Sequence, residues 1–193
     1  MTWQGMSEAQ DYADQLLEGA RVRLRATRED DLGHIESWWA DPATAVLQAS
    51  VIRPQPPGAM AGVLREWSAN KDNTGVGFSV ETRDERELVG HVALFALTPA
   101  RGATLGIVLA PERTSRGYGT DAMRLLLRYG FDELGLHRIG LQVWAFNDRA
   151  RSTYRALGFR EEGRRRDVLF HAGRFHDEVQ MGLLEEEWRA AAG

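Results

Sequence analysis

The chain has 193 residues, 43% of them hydrophobic, enough for one domain with a real core. A net charge of −4, from 24 Lys plus Arg against 28 Asp plus Glu, gives no general electrostatic reason to bind nucleic acid. The lack of cysteine excludes disulfides, thiolate nucleophiles and thiolate metal sites. The five histidines show no metal-ligand spacing, so no metal is expected.

In chain order, Met1 to Gly19 is polar with a weak helical pattern at Tyr12, Leu16 and Leu17. It reads as an N-terminal extension over residues 1–20 that packs loosely, ahead of a domain spanning 21–193. Val22 and Leu24 open the fold as a strand. Thr27 followed by Glu29, Asp30 and Asp31 is a helix start with acidic residues in the first turn. Leu32, Ile35, Trp38 and Trp39 mark one face of that helix, and Asp41-Pro42 is read as its stop. Large aromatics at helical spacing usually pack in a core, although an aromatic wall also attracts an ammonium group. Pro54, Pro56, Pro57 and Gly58 make a rigid loop before a second helix, about Ala59 to Ala69.

Val76 to Glu81 and Leu88 to Leu97 read as two strands around a charged turn, leading to a buried strand from Ala103 to Leu109. After Pro111 come Arg116, Gly117, Tyr118, Gly119 and Thr120, and then Ala122, Leu125, Leu126 and Tyr129 on one helix face. The glycines therefore lie at a helix N-terminus, where unpartnered backbone N–H groups and the helix dipole favour an anion. Glycine allows close approach and positive φ, and Arg116 or Arg113 adds charge. A lone Gly-x-Gly at such a turn is more often bland. The P-loop pattern is absent, and the turn comes too late in the chain for a Rossmann fingerprint.

Ile139, Leu141 and Val143 alternate with polar or small residues as a fifth strand. Asn147 precedes a short helix, Asp148 to Leu157, which Gly158 ends. Phe159 to Arg165, Val168 to His171 and Phe175 to Leu183 read as closing strands. No stretch approaches the about 18 consecutive apolar residues of a membrane span, and no signal-peptide order is seen. The expectation is a cytoplasmic protein without a membrane partner.

The run Pro111-Glu112, Arg116-Gly117-Tyr118-Gly119-Thr120-Asp121-Ala122 resembles the acyl-CoA-binding motif of the GNAT superfamily of N-acetyltransferases. Asn147, Ala150, Tyr154, Gly158 and Phe159 are similar to that family's next motif. The tail from Gly173 to Trp188 resembles the RimJ/RimL-like branch, whose named members acetylate ribosomal-protein N-termini. One departure is Thr114, at the first position of the family's Gln/Arg-x-x-Gly-x-Gly/Ala pattern.

The resemblance implies an α/β (α+β) fold with a mixed, mostly antiparallel central sheet and helices on both faces. It implies acetyl-CoA (coenzyme A) as donor and a primary amine as acceptor, either a small molecule or a peptide or ribosomal-protein N-terminus. The fourth and fifth strands would splay at a bulge and admit the cofactor's arm. Ile107, Val108 and Leu109 would offer free backbone groups, one N–H near Leu109 stabilising the thioester oxygen. Gly117, Tyr118, Gly119 and Thr120 would hold the pyrophosphate with Arg116, and Asn147 would contact the cofactor. Tyr154, which spacing alone would place in packing, becomes the proton donor to the departing thiolate. The region of Trp38 and Trp39 would border the acceptor cleft.

The place where members of this branch often carry a glutamate base holds Thr104. Glu81 and His91 are the nearby substitutes, and the base stays unassigned. A lysine-like amine is neutral in about one molecule in 2,500 at pH 7, an α-amino group in roughly one in seven. The alternative readings are a non-catalytic acyl-CoA-binding sensor and a binder of another phosphorylated ligand. The tail strands also leave room for a homodimer.

Overall fold

In the computed structural model, which describes residues 5–48, 51–71 and 75–192, the period-two stretches pair into one seven-stranded sheet. Its strands are β1 (Val22–Arg25), β2 (Gly75–Thr82), β3 (Leu88–Phe95), β4 (Gly102–Leu109), β5 (Arg138–Trp144), β6 (Arg160–His171) and β7 (Arg174–Leu184), in the spatial order β1-β2-β3-β4-β5-β7-β6. Every neighbouring pair is antiparallel except β4 with β5. The helices are α1 (Met6–Leu16), α2 (Glu29–Ala40), α3 (Pro42–Gln48), α4 (Ala61–Trp67), α5 (Tyr118–Asp132), α6 (Asp148–Ala156) and α7 (Glu185–Ala192). This is the mixed, mostly antiparallel α/β architecture expected.

Strand alternation gives each face of the sheet its own core. On one face, Ala122, Leu125 and Leu126 of α5 pack on Leu94, Leu105, Ile139, Leu141 and Val179. On the other, Leu32 and Ile35 of α2 and Leu64 of α4 cover Val108. The weak N-terminal pattern forms α1, whose Leu16 is buried and whose Tyr12 hydroxyl donates to Glu133 at the end of α5, at 2.5 Å. The first four residues of the expected extension lie outside the described residues.

Asp41-Pro42 does end α2, at Ala40. Pro42 then opens a further short helix, α3, where Asp41 accepts the Ala43 N–H at 2.7 Å and proline tolerates a first helical turn. Two local readings change. The two strands expected before and after Arg166 are one strand, β6, with its pairing broken between Arg165 and Leu169, where Asp167 takes φ 55°. The C-terminal α7, which has no counterpart in the sequence reading, sets Trp188 against Phe131 with ring centroids 6.0 Å apart.

A buried ion network ties α2 to the sheet. Arg25 on β1 makes a bidentate pair with Asp31, at 2.6 and 2.9 Å, and reaches Glu81 on β2 at 2.9 Å. Asp31 also accepts from the Arg28 N–H at 2.7 Å, which caps α2, and from Ser79 Oγ at 2.8 Å. Burial works against the ionised Asp31, but the Arg25, Arg28 and Ser79 hydrogen bonds outweigh it and lower its pKa from 3.8 to about 2. A carboxylate depressed in this way stabilises the fold above its unfolded pKa, and that contribution is lost as pH falls through the folded one. Asp31→Asn should cost roughly 2–3 kcal/mol at neutral pH. It should also flatten the stability curve between about pH 4 and 2. Urea denaturation across that range reads both, and an unchanged acid limb would show that this carboxylate does not anchor α2.

Candidate active site

β4 and β5 each follow a different antiparallel partner. β4 keeps register with β3 from Gly90↔Leu109 to Phe95↔Thr104, and β5 with β7 from Arg138↔Leu184 to Trp144↔Glu178. Between themselves they pair only at Gly102↔Arg138, Ala103↔Ile139 and Thr104↔Gly140. Sheet twist then opens the seam beyond Thr104. The expected bulge is not what parts them, since the β3–β4 register runs without a shift.

Ala110 N–H donates to the Val89 carbonyl at 3.0 Å. Backbone groups alternate sides along a strand, so those of Ile107 and Leu109 point into the opened seam. Gln48, at the end of α3, agrees with that direction: its Nε2 donates to the Ile107 carbonyl at 3.1 Å. Val108 is turned the other way. Its backbone faces β3 and its side chain fills the second core, so within Ile107–Leu109 the middle residue offers no free backbone group.

A cavity of about 520 Å³ runs through the seam and joins two environments. At one end lies the N-terminus of α5. Gly117, its N-cap, has φ 84°, a left-handed conformation that suits glycine, and Ser115 before it has φ 61°. The amides of Tyr118, Gly119 and Thr120 are first-turn groups with no intrahelical acceptor. A Cβ on Gly119 would stand 3.0 Å from Leu109 Cδ1, so the bare backbone lets the helix end press against β4.

Gly117, Gly119, Thr120 and Asn147 line the cavity, whereas Arg116 and Tyr118 do not; Arg116 is exposed beside it. Arg113 is taken out of consideration by its ion pair with Glu87. Arg149 stands at this end instead, with Nη1 3.4 Å from Ser115 Oγ. Asn147 accepts the Ala150 N–H at 3.2 Å, the helix-capping role its position suggests.

Tyr154 lines the same cavity and meets Phe159 edge to face, with centroids 6.0 Å apart. Burial pushes its phenol up to about 12, so it is fully protonated at neutral pH. The far end carries Trp39, Trp67, Phe95, His91, Trp144 and Glu178. Trp67 stacks on Phe95 at 5.8 Å and leans on Trp39 at 6.3 Å. Of the tryptophan pair, Trp39 reaches the cavity while Trp38 packs at the margin of the second core.

The two substitute bases separate. Glu81 is held by Arg23 and Arg25 away from the cavity. Burial disfavours its charge, yet the hydrogen bonds from Arg25 and Arg23 bring its pKa below the usual carboxylate value. His91 does line the cavity, 3% exposed, with Nε2 2.8 Å from Ser68 Oγ. Burial lowers its pKa to about 4 against the pull of Asp31, so it is a neutral and weak base.

Sequence alone does not single out Gln48, Gln142, Arg149 or Glu178 as site residues. The available signal was the β5 alternation, which sets Gln142 and Trp144 on the face opposite the core. The β7 register that adds Glu178 to that face appears only in the folded sheet. Among the described residues, no cluster of His, Asp or Glu is arranged to hold a metal ion, and no helix is long and apolar enough to cross a membrane.

A helix N-terminus and an aromatic pocket joined through a parted sheet are features that suit a group-transfer site. Residues 21–160 match the Acetyltransferase (GNAT) domain, and the chain belongs to that family. It is an N-acetyltransferase, and acetyl-CoA is the acetyl donor of the family.

The putative ribosomal N-acetyltransferase YdaF of Bacillus subtilis (strain 168) is 37% identical over 102 residues, 52% of this chain and 56% of that protein. The spermidine N(1)-acetyltransferase of Escherichia coli (strain K12) is 32% identical over 180 residues, 88% of this chain and 89% of that protein. The crystal structure of spermidine N-acetyltransferase from Vibrio cholerae, in complex with CoA and spermine, superposes with a TM-score of 0.78. It is 28% identical and covers 87% of this chain and 98% of its own.

The His91 imidazole should titrate with a midpoint near 4 when followed by NMR. The unfolded chain takes that proton more readily, so stability should rise with pH between about 4 and 6.5. A midpoint at an ordinary histidine value would mean that the ring is not shielded from water.

Proposed function

We propose that this chain moves the acetyl group of acetyl-CoA directly to a weakly basic primary amine in a ternary complex. The α-amino group of a peptide, or of a small molecule resembling one, is the favoured acceptor. One observation carries the reading: a single cavity touches the α5 N-terminus at one end and the aromatic pocket at the other, passing the unpaired β4 backbone between them.

The chain's groups fit the donor. Gln48 already occupies the Ile107 carbonyl with an amide N–H, the kind of group a pantetheine arm carries. A side chain at Gly119 would press on Leu109 and Ile107 of β4 and push the helix end away from the seam. The first-turn amides of Tyr118, Gly119 and Thr120, with Arg116 and Arg149 beside them, suit a diphosphate. The donor supplies an acyl group activated as a thioester. Leu109 N–H, directed into the seam, is placed to stabilise negative charge on the acyl oxygen.

Tyr154 is the proposed proton donor. A phenol near 12 is a poor match for a thiolate whose acid lies near 8.5. Positive charge developing on the attacking nitrogen lowers the phenol's hold on its proton at the moment of transfer. The proton lost by the nitrogen then restores the phenol, so one proton passes from amine to sulfur through Tyr154.

The acceptor follows from the weakness of His91 as a base. An α-amino group needs no strong base because a useful fraction is neutral at pH 7. The YdaF likeness and the RimJ/RimL-like tail support a peptide acceptor. The longer coverage of the spermidine acetyltransferases favours polyamines as the second reading.

A thiol-release assay with acetyl-CoA separates them. At pH 7 peptides with a free α-amino group should exceed spermidine in kcat/KM by about tenfold or more, and the gap should narrow as pH rises. Better turnover of spermidine at pH 7 would overturn the acceptor reading, and no release with any amine would overturn the reaction. Tyr154→Phe should lower kcat about 100-fold or more while leaving CoA affinity, measured by calorimetry, within about threefold. Equal losses in both would remove Tyr154 as the acid.

A further inference from the structure

Glu178 is an acid in an unexpected place. It lies on β7 opposite Trp144, with Val179 and Met181 beside it pointing into the main core. The alternation therefore turns Glu178 to the face of Gln142 and Trp144, where it lines the acceptor end of the cavity at 7% exposure. It is the sole carboxylate among the described lining residues. One oxygen, Oε1, takes a hydrogen bond from Arg165 Nη1 at 3.1 Å across the β6–β7 pair. Among the described residues, no protein group donates to Oε2. Arg165 is 56% exposed on the edge strand, immediately before the break in β6 pairing.

A buried carboxylate that lines a cavity walled by aromatic rings, with one oxygen committed and no described donor on the other, suits a single cation. The rings add cation–π attraction and exclude water, which strengthens the ion pair. The titratable and charged neighbours do not compete. His91 is neutral, Tyr154 is protonated, and Arg149 is at the opposite, phosphate-suited end.

We propose that Glu178 receives the ammonium form of the acceptor through Oε2, and that Arg165 limits the pocket to one positive charge by holding Oε1. This specificity assignment rests on the acetyl-transfer reading above. It also refines that reading, because a second ammonium group finds no second carboxylate and meets the Arg165 guanidinium. Binding through Oε2 seats the nitrogen before it loses a proton to solvent, and attack follows from the neutral form.

The test uses the full chain and two kinds of readout. Fluorescence of the cavity tryptophans in the CoA complex reports binding of three probes without turnover. The probes are a tripeptide amide with a free N-terminus, spermidine, and benzhydrazide, which is uncharged at pH 7. Thiol release from acetyl-CoA then gives KM and kcat for the same probes.

Glu178→Gln should weaken binding of the tripeptide at least about tenfold and raise its KM in step. It should leave benzhydrazide and CoA within about twofold. Glu178→Asp, which keeps the charge, should recover much of the loss. Arg165→Gln should improve spermidine by about threefold or more with no comparable gain for the tripeptide. Equal losses for charged and uncharged probes in Glu178→Gln, or unchanged tripeptide binding, would overturn the assignment. Absence of thiol release from the wild type, with charge-dependent binding retained, would instead count against the transfer reading and leave the receptor standing.

Discussion

The short parallel seam between β4 and β5 governs this molecule. A strand buried in a sheet ordinarily has partners for its backbone on both sides, and unpaired buried amides are costly. Here β3 and β7 hold β4 and β5 along their lengths, while the two strands share three residue pairs. Past Thr104 the inner edge of β4 is left with unsatisfied groups at Ile107 and Leu109. One is answered by the side chain of Gln48. An extended ligand carrying amides would complete the edge as an added strand does, with the specificity that backbone hydrogen bonding gives.

That opening is usable because both sides of the sheet are otherwise closed. On one side α5 seals the core from Ala122 to Phe131 and leaves its N-terminus at the mouth of the seam. On the other, α2 is locked down by Arg25, Asp31, Ser79 and Glu81. The same network removes Glu81 from any role in proton transfer and leaves His91, one strand further in, as a buried neutral ring. Trp39 ends the anchored helix at the cavity wall. Structural and chemical demands on this face are thus divided between residues two positions apart on neighbouring strands.

Much of this was legible in the residue order because it depends on local pattern. Short apolar runs between turn signals marked β2 to β4, alternation marked β5, the spacing of Ala122 to Tyr129 marked α5, and glycines at its start marked the anion-suited turn. The misses share a cause: each needed a partner distant in the chain. Arg113 looks available until Glu87, from the β2–β3 turn, is brought beside it. Val108 sits between two gap-facing residues, and only the pairing with β3 shows its backbone turned away. Glu178 reads as a strand carboxylate until the β5–β7 register sets it opposite Trp144.

The proposed direct attack, rather than relay through an acetylated side chain, is supported by how the cavity's groups are tied. The chain has no thiol. Two of the lining hydroxyls are tied to backbone: Thr114 donates to the Pro111 carbonyl at 3.0 Å and Thr153 to the Arg149 carbonyl at 3.0 Å. The imidazole that would activate a hydroxyl is already bonded to Ser68 and too weakly basic to take its proton. The proposed route therefore has the amine reach the acyl carbon while the donor is still bound. On that route the two ends are coupled electrostatically, since positive charge developing on the nitrogen as it attacks favours loss of the Tyr154 proton. A phenol held at about 12 in the protein alone would keep its proton until that charge develops, which would tie acid catalysis to a correctly filled pocket.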